Sequence, residues 1–364
     1  MSHGTRRTLI GLTLGLLVPT CFAWSAPHIE LVASDLGEIV SMAWDSSGRI
    51  FYTERGGRVR LIVGGQVVPT PVLGVEVDTD LERGLHGIAL DPDFDDNHYV
   101  YITLTATDDP ATNNRLIRFT EVDGVGQDPV ILWAASANTR GPFFAYHNIE
   151  SVRFGPDGKL YFSIGDDATE SNALDLADKH GKIHRLNADG TIPTDNPFYG
   201  REGAEWSIYA VGLRNSFDFD WDPVTGNMVA SENGPFCDDE VNLILPGQRY
   251  GWRPSYPCGD TDTRYNSIPP MYRWTPTIGP TGIAFYTGDL LPPLQGKLFM
   301  CDFNNGDLHY LRLNEARTRV VQDAHVPLPG DLRCNMDVKT GPDGALYFVM
   351  GGGWSSGDLY RIVP

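Results

Sequence analysis

The chain has 364 residues, 41% of them hydrophobic and 21% charged, so it can bury a substantial core. Its 40 glycines and 26 prolines point to many turns between short elements rather than to disorder. Acidic residues outnumber basic ones 47 to 28, for a formal charge of −19, and no Lys/Arg-rich run occurs. Nucleic-acid binding and adhesion to an anionic membrane are therefore disfavoured, because both need a positive surface.

From the N-terminus, Arg6 and Arg7 precede an apolar stretch from Leu9 to Pro19 and then small residues around Ala23 and Ala26. A charged region, an apolar run too short to span a bilayer and a cleavage zone read as an export signal over residues 1–23. Cleavage after Ala23 is favoured, since cleavage after Ala26 would put bulky Trp24 at the −3 position. A buried N-terminal element and a membrane anchor are the alternatives. The Thr-Arg-Arg-Thr-Leu stretch at residues 5–9 leaves both the twin-arginine and the general export route open. No other apolar run approaches 18 residues, so the mature chain, one domain over 27–364, is expected to be soluble and periplasmic or secreted.

A short pattern then recurs: Asp or Pro, a turn containing Gly or Asn, and an alternating strand. Its copies centre on turn residues Gly48, Asn97, Gly158, Gly226, Gly296 and Gly344. Two of them, Gly155–Phe162 and Gly341–Phe348, are nearly identical GPDGxLYF runs. Hairpins recurring roughly every 50–70 residues, with long helical patterns nearly absent, imply an all-β fold. The expected architecture is a six-bladed β-propeller of four-stranded antiparallel blades. A β-sandwich with irregular hairpins is the competing architecture. One short helical turn is expected between Ser171 and Lys179. The long loops of the middle repeats are where function is expected.

His147 falls just before a blade strand, at a loop end near the propeller axis, where it suits proton abstraction from an alcohol. A purely structural histidine is the plainer reading. Arg214 and Asn215, in Gly212-Leu-Arg-Asn-Ser-Phe217, suit an anionic or polyol ligand, or are simply exposed loop residues. Glu82, with Arg83 and Gly84, opens the second repeat and can equally be a turn. Asp238, Asp239 and Glu240 precede a Gly-rich turn at Tyr250, and acidic side chains beside free carbonyls suit calcium. A solvated acidic loop is the alternative there, with Arg249 the nearest basic residue in sequence. Removing Cys21 with the leader leaves four cysteines, which suggests disulfides in an exported chain. Of the three possible pairings, the shortest closures are Cys237–Cys258 and Cys301–Cys334. Zinc binding competes, but no CxxC pair supports it. No GxSxG, HExxH, P-loop or Rossmann fingerprint is present.

Seven segments stand out: Glu82–Phe94, His147 through Gly165-Asp166, Gly181–Phe198, Gly212-Leu-Arg-Asn215, Ser231-Glu-Asn-Gly-Pro235, Asp239-Glu-Val-Asn242 and Tyr250-Gly-Trp252. Together they resemble the soluble glucose/sorbosone dehydrogenase family. The likeness runs from about residue 30 to the end, in the family's order. It implies a six-bladed propeller that binds pyrroloquinoline quinone (PQQ) and Ca²⁺ and oxidises the C1 hydroxyl of aldoses to lactones. A soluble electron acceptor and a monomer or homodimer follow from the same resemblance. His147 would be the general base, Arg214 and Asn215 would lie near the cofactor, and Glu240 with the Tyr250 carbonyl would hold calcium. The departures are specific. The family's His-Asn-Gly-Gly reads His147-Asn-Ile-Glu150, its second-blade glutamine is Glu82, its cofactor-binding lysine falls at Asn304, and Arg333 alone remains of a later arginine pair. These departures keep three other readings open: a propeller without the cofactor that binds carbohydrate, one that binds a protein partner, and a calcium-dependent lactonase.

Overall fold

The computed structural model describes residues 27–259 and 266–364, so the leader expected at residues 1–23 lies outside the described residues. Six antiparallel sheets surround a common axis as the blades of a propeller. Their innermost strands are Ile39–Trp44, Leu85–Leu90, Ile149–Phe154, Ser216–Trp221, Pro280–Phe285 and Val338–Thr340. Each sheet has four strands in blade order, and the first gains a short fifth, Leu73–Gly74, beside Arg58–Val63. The ring closes between the two ends of the chain. Strand His28–Ala33 pairs antiparallel with Asp358–Val363 as the outermost strand of the last blade, and closure removes an open seam.

The turn residues of the repeat join the first and second strands of each blade. Gly48, Gly158, Gly226, Gly296 and Gly344 all have φ between 69° and 84°, the region a side chain disfavours. Blade two differs from the expectation. There the chain makes a helical turn over Phe94–Asn97, and His98, not Asn97, takes the left-handed position at φ 56°. The turn is longer than in blade one, with Asp91 N–H closing on the Tyr99 carbonyl where Asp45 N–H closes on that of Arg49, and the His98 N–H reaches the Phe94 carbonyl, which moves the cap by one. The expected helical turn near Ser171 is a 3-10 turn over Glu170–Leu174. The buried Lys182 ammonium holds it by donating to the carbonyls of Asn172 and His180.

Apolar residues fill the wedges between blades, as in the cluster of Ile39, Met42 and Tyr52 with Tyr347 and Val349 across the closure. Near the axis a polar device recurs. In five blades the innermost strand breaks register with its neighbour, as between Leu85 and Ile88 and between Ile149 and Val152. Hydroxyls from the second strands fill three of these breaks and reach the next blade. Thr53 accepts from Ser41 N–H and donates to the His86 carbonyl. Thr103 accepts from Gly87 N–H and donates to the Glu150 carbonyl. Ser231 accepts from Asp218 N–H and donates to the Thr281 carbonyl. Blade-to-blade spacing at the axis is thus fixed by buried hydrogen bonds as well as by apolar packing. Both expected disulfides, Cys237–Cys258 and Cys301–Cys334, are formed.

Candidate active site

The loops at one end of the axis surround a cavity of about 1040 Å³. Glu82, His147, Arg214, Asn215 and Asn304, far apart in sequence, all line it, together with aromatic side chains such as Phe143, Tyr146, Trp252 and Trp354. Arg333 is not among the lining residues. It packs over Gly306, and its guanidinium donates to the Leu332 carbonyl.

His147 is held on every side. Its backbone is left-handed at φ 60°, unusual for a residue with a side chain. The Glu82 carboxylate accepts its N–H at 2.8 Å, and its carbonyl accepts from Asp167 N–H. Gly165 makes room for it, since a Cβ there would lie 2.5 Å from the His147 Cβ and 2.6 Å from Asn215 Oδ1. The ring Nδ1 lies 2.5 Å from Asp166 Oδ1, and the other Asp166 oxygen accepts from Trp252 Nε1 at 2.7 Å. Burial pushes the Asp166 carboxyl upward, but the His147 and Trp252 hydrogen bonds outweigh it and leave the group below its ordinary range. Asp166 therefore stays ionised, orients the ring and leaves Nε2 for a ligand, an arrangement suited to a general base.

Glu232 shapes the neighbouring wall. Its buried carboxylate accepts from the backbone N–H groups of Arg214 and Asn215 and from the Ser216 hydroxyl. Arg214 lies over the Trp252 ring and donates to the Asn233 carbonyl, and the buried Asn215 Oδ1 has no hydrogen-bond partner. Asn304 reaches the opposite side, with its amide donating to the Thr277 carbonyl. At the floor, His86 and Glu150 face each other from adjacent inner strands, with Nδ1 and Oε2 2.5 Å apart. Burial raises the Glu150 carboxyl. It works downward on His86, where the Glu150 charge overcomes it and holds the imidazole above its usual value.

The acidic run forms no open cluster, because each member has its own partners. Asp238 accepts from the Thr275 and Tyr256 hydroxyls, and Asp239 from the N–H groups of Gly234, Ile278 and Gly279. Glu240 pairs with Arg273 Nε at 3.0 Å, so the cation beside it is Arg273 rather than Arg249. Glu240 and Tyr250 do meet, lining with Glu232 and Asn242 a small cavity of about 20 Å³. Asn242 donates to Glu240 while its own Oδ1 lacks a partner. Burial pushes the Glu240 carboxyl up to about 7.

Sequence reasoning left Asp166, Glu232 and Trp252 without roles, although all three stand in the motifs quoted above. His86, inside the Glu82–Phe94 segment, likewise received no role. An acidic residue in a Gly-Asp turn was the available signal for Asp166, and nothing in the sequence pairs His86 with Glu150.

A profile of the Glucose / Sorbosone dehydrogenase family matches residues 36–361. The aldose sugar dehydrogenase YliI of Escherichia coli is 27% identical over 365 residues, covering 94% of this chain and 95% of its own. Quinoprotein glucose dehydrogenase B of Acinetobacter calcoaceticus is 32% identical over 254 residues, 61% of this chain and 52% of its own. A crystal structure from Thermus thermophilus, described as a glucose dehydrogenase-type oxidoreductase, superposes with a TM-score of 0.81 at 31% identity, over 93% of this chain and 100% of that one. The chain belongs to the glucose/sorbosone dehydrogenase family.

Proposed function

We propose that this protein is a PQQ- and calcium-dependent dehydrogenase that oxidises the C1 hydroxyl of aldose sugars to lactones. The observation that carries the reading is the His147–Asp166 pair opening into a large cavity beside Arg214 and Asn215. The residues present fit a flat polyanionic quinone. Aromatic walls suit its rings, Arg214 supplies a cation, and Asn215 Oδ1 is a buried acceptor without a partner. The carboxylates of Glu82, Asp166 and Asp239 are each engaged by N–H donors rather than bare.

When bound, the quinone supplies a two-electron acceptor for the C1 hydride. The chain does the rest. His147 Nε2 takes the C1 hydroxyl proton, and Asp166 stabilises the imidazolium that results. Trp252 holds Asp166 in place, and Glu232 fixes the backbone that presents Arg214 and Asn215. Glu240, Asn242 and Tyr250 line one small cavity, and the Glu240 carboxylate, released from its Asn242 hydrogen bond, with the Tyr250 carbonyl and the unpartnered Asn242 Oδ1 would offer calcium hard oxygens there and pin the loop before Trp252.

Export to the periplasm or medium, with removal of residues 1–23 and electron delivery to a soluble acceptor, belongs to the same proposal. The two disulfides suit an oxidising compartment, and no helix among the described residues is long and apolar enough to cross a membrane. Reconstitution with PQQ and Ca²⁺, followed by dye-linked oxidation of a panel of aldoses, tests the reading. Activity that requires both additions supports it, and no turnover of any aldose at saturating PQQ refutes it.

One observation favours a second reading, a cofactor-free propeller that binds carbohydrate or a protein partner. Of the two arginines on the cavity wall, Arg55 is occupied by Glu38 and by the carbonyls of Gly353 and Thr79, which leaves Arg214 to meet an anion. Saccharide binding unaffected by PQQ, without oxidation, would favour it.

A further inference from the structure

The loop that carries Phe303 and Asn304 into the cavity returns on itself between Asp302 and Asp307. Asp302 N–H donates to the Asp307 carbonyl, and Gly306 N–H donates back to Asp302. At the base of this loop, outside the cavity, five metal-ligating side chains of blade five converge. His309 on strand Leu308–Leu313 stands directly opposite His325 on strand Val320–His325. Ligand atoms of Asp307, His309 and His325 all lie within 4.8 Å of one another, and His325 Nδ1 is 3.3 Å from Asp307 Oδ2. Ligands about 2.0–2.1 Å from a tetrahedral ion stand roughly 3.3 Å apart, the separation this His–Asp pair already has.

His309 is also braced as a metal-bound histidine usually is. Asp302 lies 2.9 Å from its Nε2 and Asp323 lies 2.8 Å from its Nδ1, so both nitrogens are taken and an ion has to displace one of these carboxylates, after which the other fixes the ring. Trp274 Nε1 in turn holds Asp323 at 2.8 Å. Burial works downward on His309, but Asp302 and Asp323 outweigh it and push its pKa up to about 9, so an entering ion also displaces a proton from the ring; half-exposed His325 leaves a way in.

We propose that Asp307, His309 and His325 bind one divalent transition-metal ion of the zinc type, and that the ion clamps the base of the loop bearing Asn304. Two nitrogens and carboxylate oxygens select a borderline ion over Ca²⁺, which prefers an all-oxygen shell. The site is independent of the Glu240 calcium set and of any quinone.

The test uses the full-length mature protein, untagged and stripped with chelator, titrated with Zn²⁺ by calorimetry in excess Ca²⁺. One Zn²⁺ per chain is expected. Affinity should fall at least ~10-fold in His325→Ala and in Asp307→Asn, both solvent-facing changes, and by roughly 10–100-fold in Asp302→Asn. Cu²⁺ spin resonance should show two nitrogen couplings in the parent and one in His325→Ala. No Zn²⁺ uptake by the parent, or uptake unchanged in both surface variants, overturns the proposal. Melting curves of the variants without metal identify any that fail to fold, and the copper spectrum of the parent still decides the nitrogen count.

Discussion

Glu82 Oε2 accepts the backbone N–H of His147 at 2.8 Å. A residue that opens blade two thereby sets the backbone of the proposed base at the start of blade three. The bond needs only an acceptor oxygen, and the amide oxygen of a glutamine would serve as well. The negative charge of Glu82 is therefore not required for positioning, yet it faces a cavity proposed to receive a tricarboxylate.

Glu82→Gln should accordingly keep the fold and the place of His147 while strengthening PQQ binding. At an effective dielectric of about 20, two like charges 5 Å apart repel by roughly 3 kcal/mol. Even partial relief should lower the PQQ dissociation constant about tenfold or more. Titration followed by quinone absorbance measures it, and equal affinities would show that Glu82 does not face the cofactor.

Turnover should fall by roughly 10²–10⁴ in His147→Ala, the usual worth of a positioned base. Asp166→Asn should lose a comparable amount with little change in KM, because the amide cannot support the imidazolium. Dye-linked rates on reconstituted enzyme provide the measurement, with circular dichroism to confirm folding. Undiminished turnover in His147→Ala removes it from the mechanism.

Calcium binding should appear in melting curves. An ion held by folded Glu240, Asn242 and the Tyr250 carbonyl stabilises by about 2.7 kcal/mol at a hundredfold excess over its Kd, enough to raise Tm by several degrees. Glu240→Gln should blunt that rise, while a distant Glu54→Gln change should not. Melting unaltered by chelator in the parent, with no calcium found by elemental analysis, would dispose of the site.

The blade count was legible because five of the six repeats place a Gly at one left-handed turn, and that geometry leaves a mark in sequence. The helical turn of blade two escaped because the longer turn there moved the cap from Asn97 to His98. Of the site, His147, Arg214 and Asn215 were readable from motifs. Arg333 is a single basic residue whose placement depends on how Gly306 packs, and it falls outside the cavity lining. Asp238, Asp239 and Glu240 look alike as a run, but alternation along a strand and the turns around it send each to different partners. His86 and Glu150 lie 64 positions apart on neighbouring blades, and only the ring of blades brings them into contact.

The hydroxyl bridges between blades give a prediction about stability alone. Thr103 is buried, accepts from Gly87 N–H and donates to the Glu150 carbonyl. Thr103→Val keeps the shape and strands both backbone groups, which should cost about 1–3 kcal/mol. Thr103→Ser keeps the hydroxyl and should cost less. Denaturant midpoints of the three proteins compare them directly, and equal midpoints for Thr103→Val and the parent would mean that water replaces the bridge.

Acid sensitivity should trace in part to His184. Its ring is wholly buried, stacked on Phe162, with Nδ1 on the Ser207 hydroxyl and Nε2 on the Lys179 carbonyl, each at 2.8 Å. Burial is the main cause that lowers its pKa, to about 3. The unfolded chain takes up a proton near the ordinary histidine value of about 6.5, whereas the folded chain refuses it until far lower pH. Unfolding therefore gains protons between those two values, and the stability that neutral His184 provides above about 6.5 is lost progressively as pH falls toward 3. Between pH 7.5 and pH 5 the loss from this one group should be about 2 kcal/mol. His184→Gln lowers stability at neutral pH but cannot titrate, so its denaturant midpoint should fall less steeply over that interval than the parent's. Parallel slopes for the two proteins would mean that His184 already carries a proton in the fold, or that the unfolded chain does not protonate it.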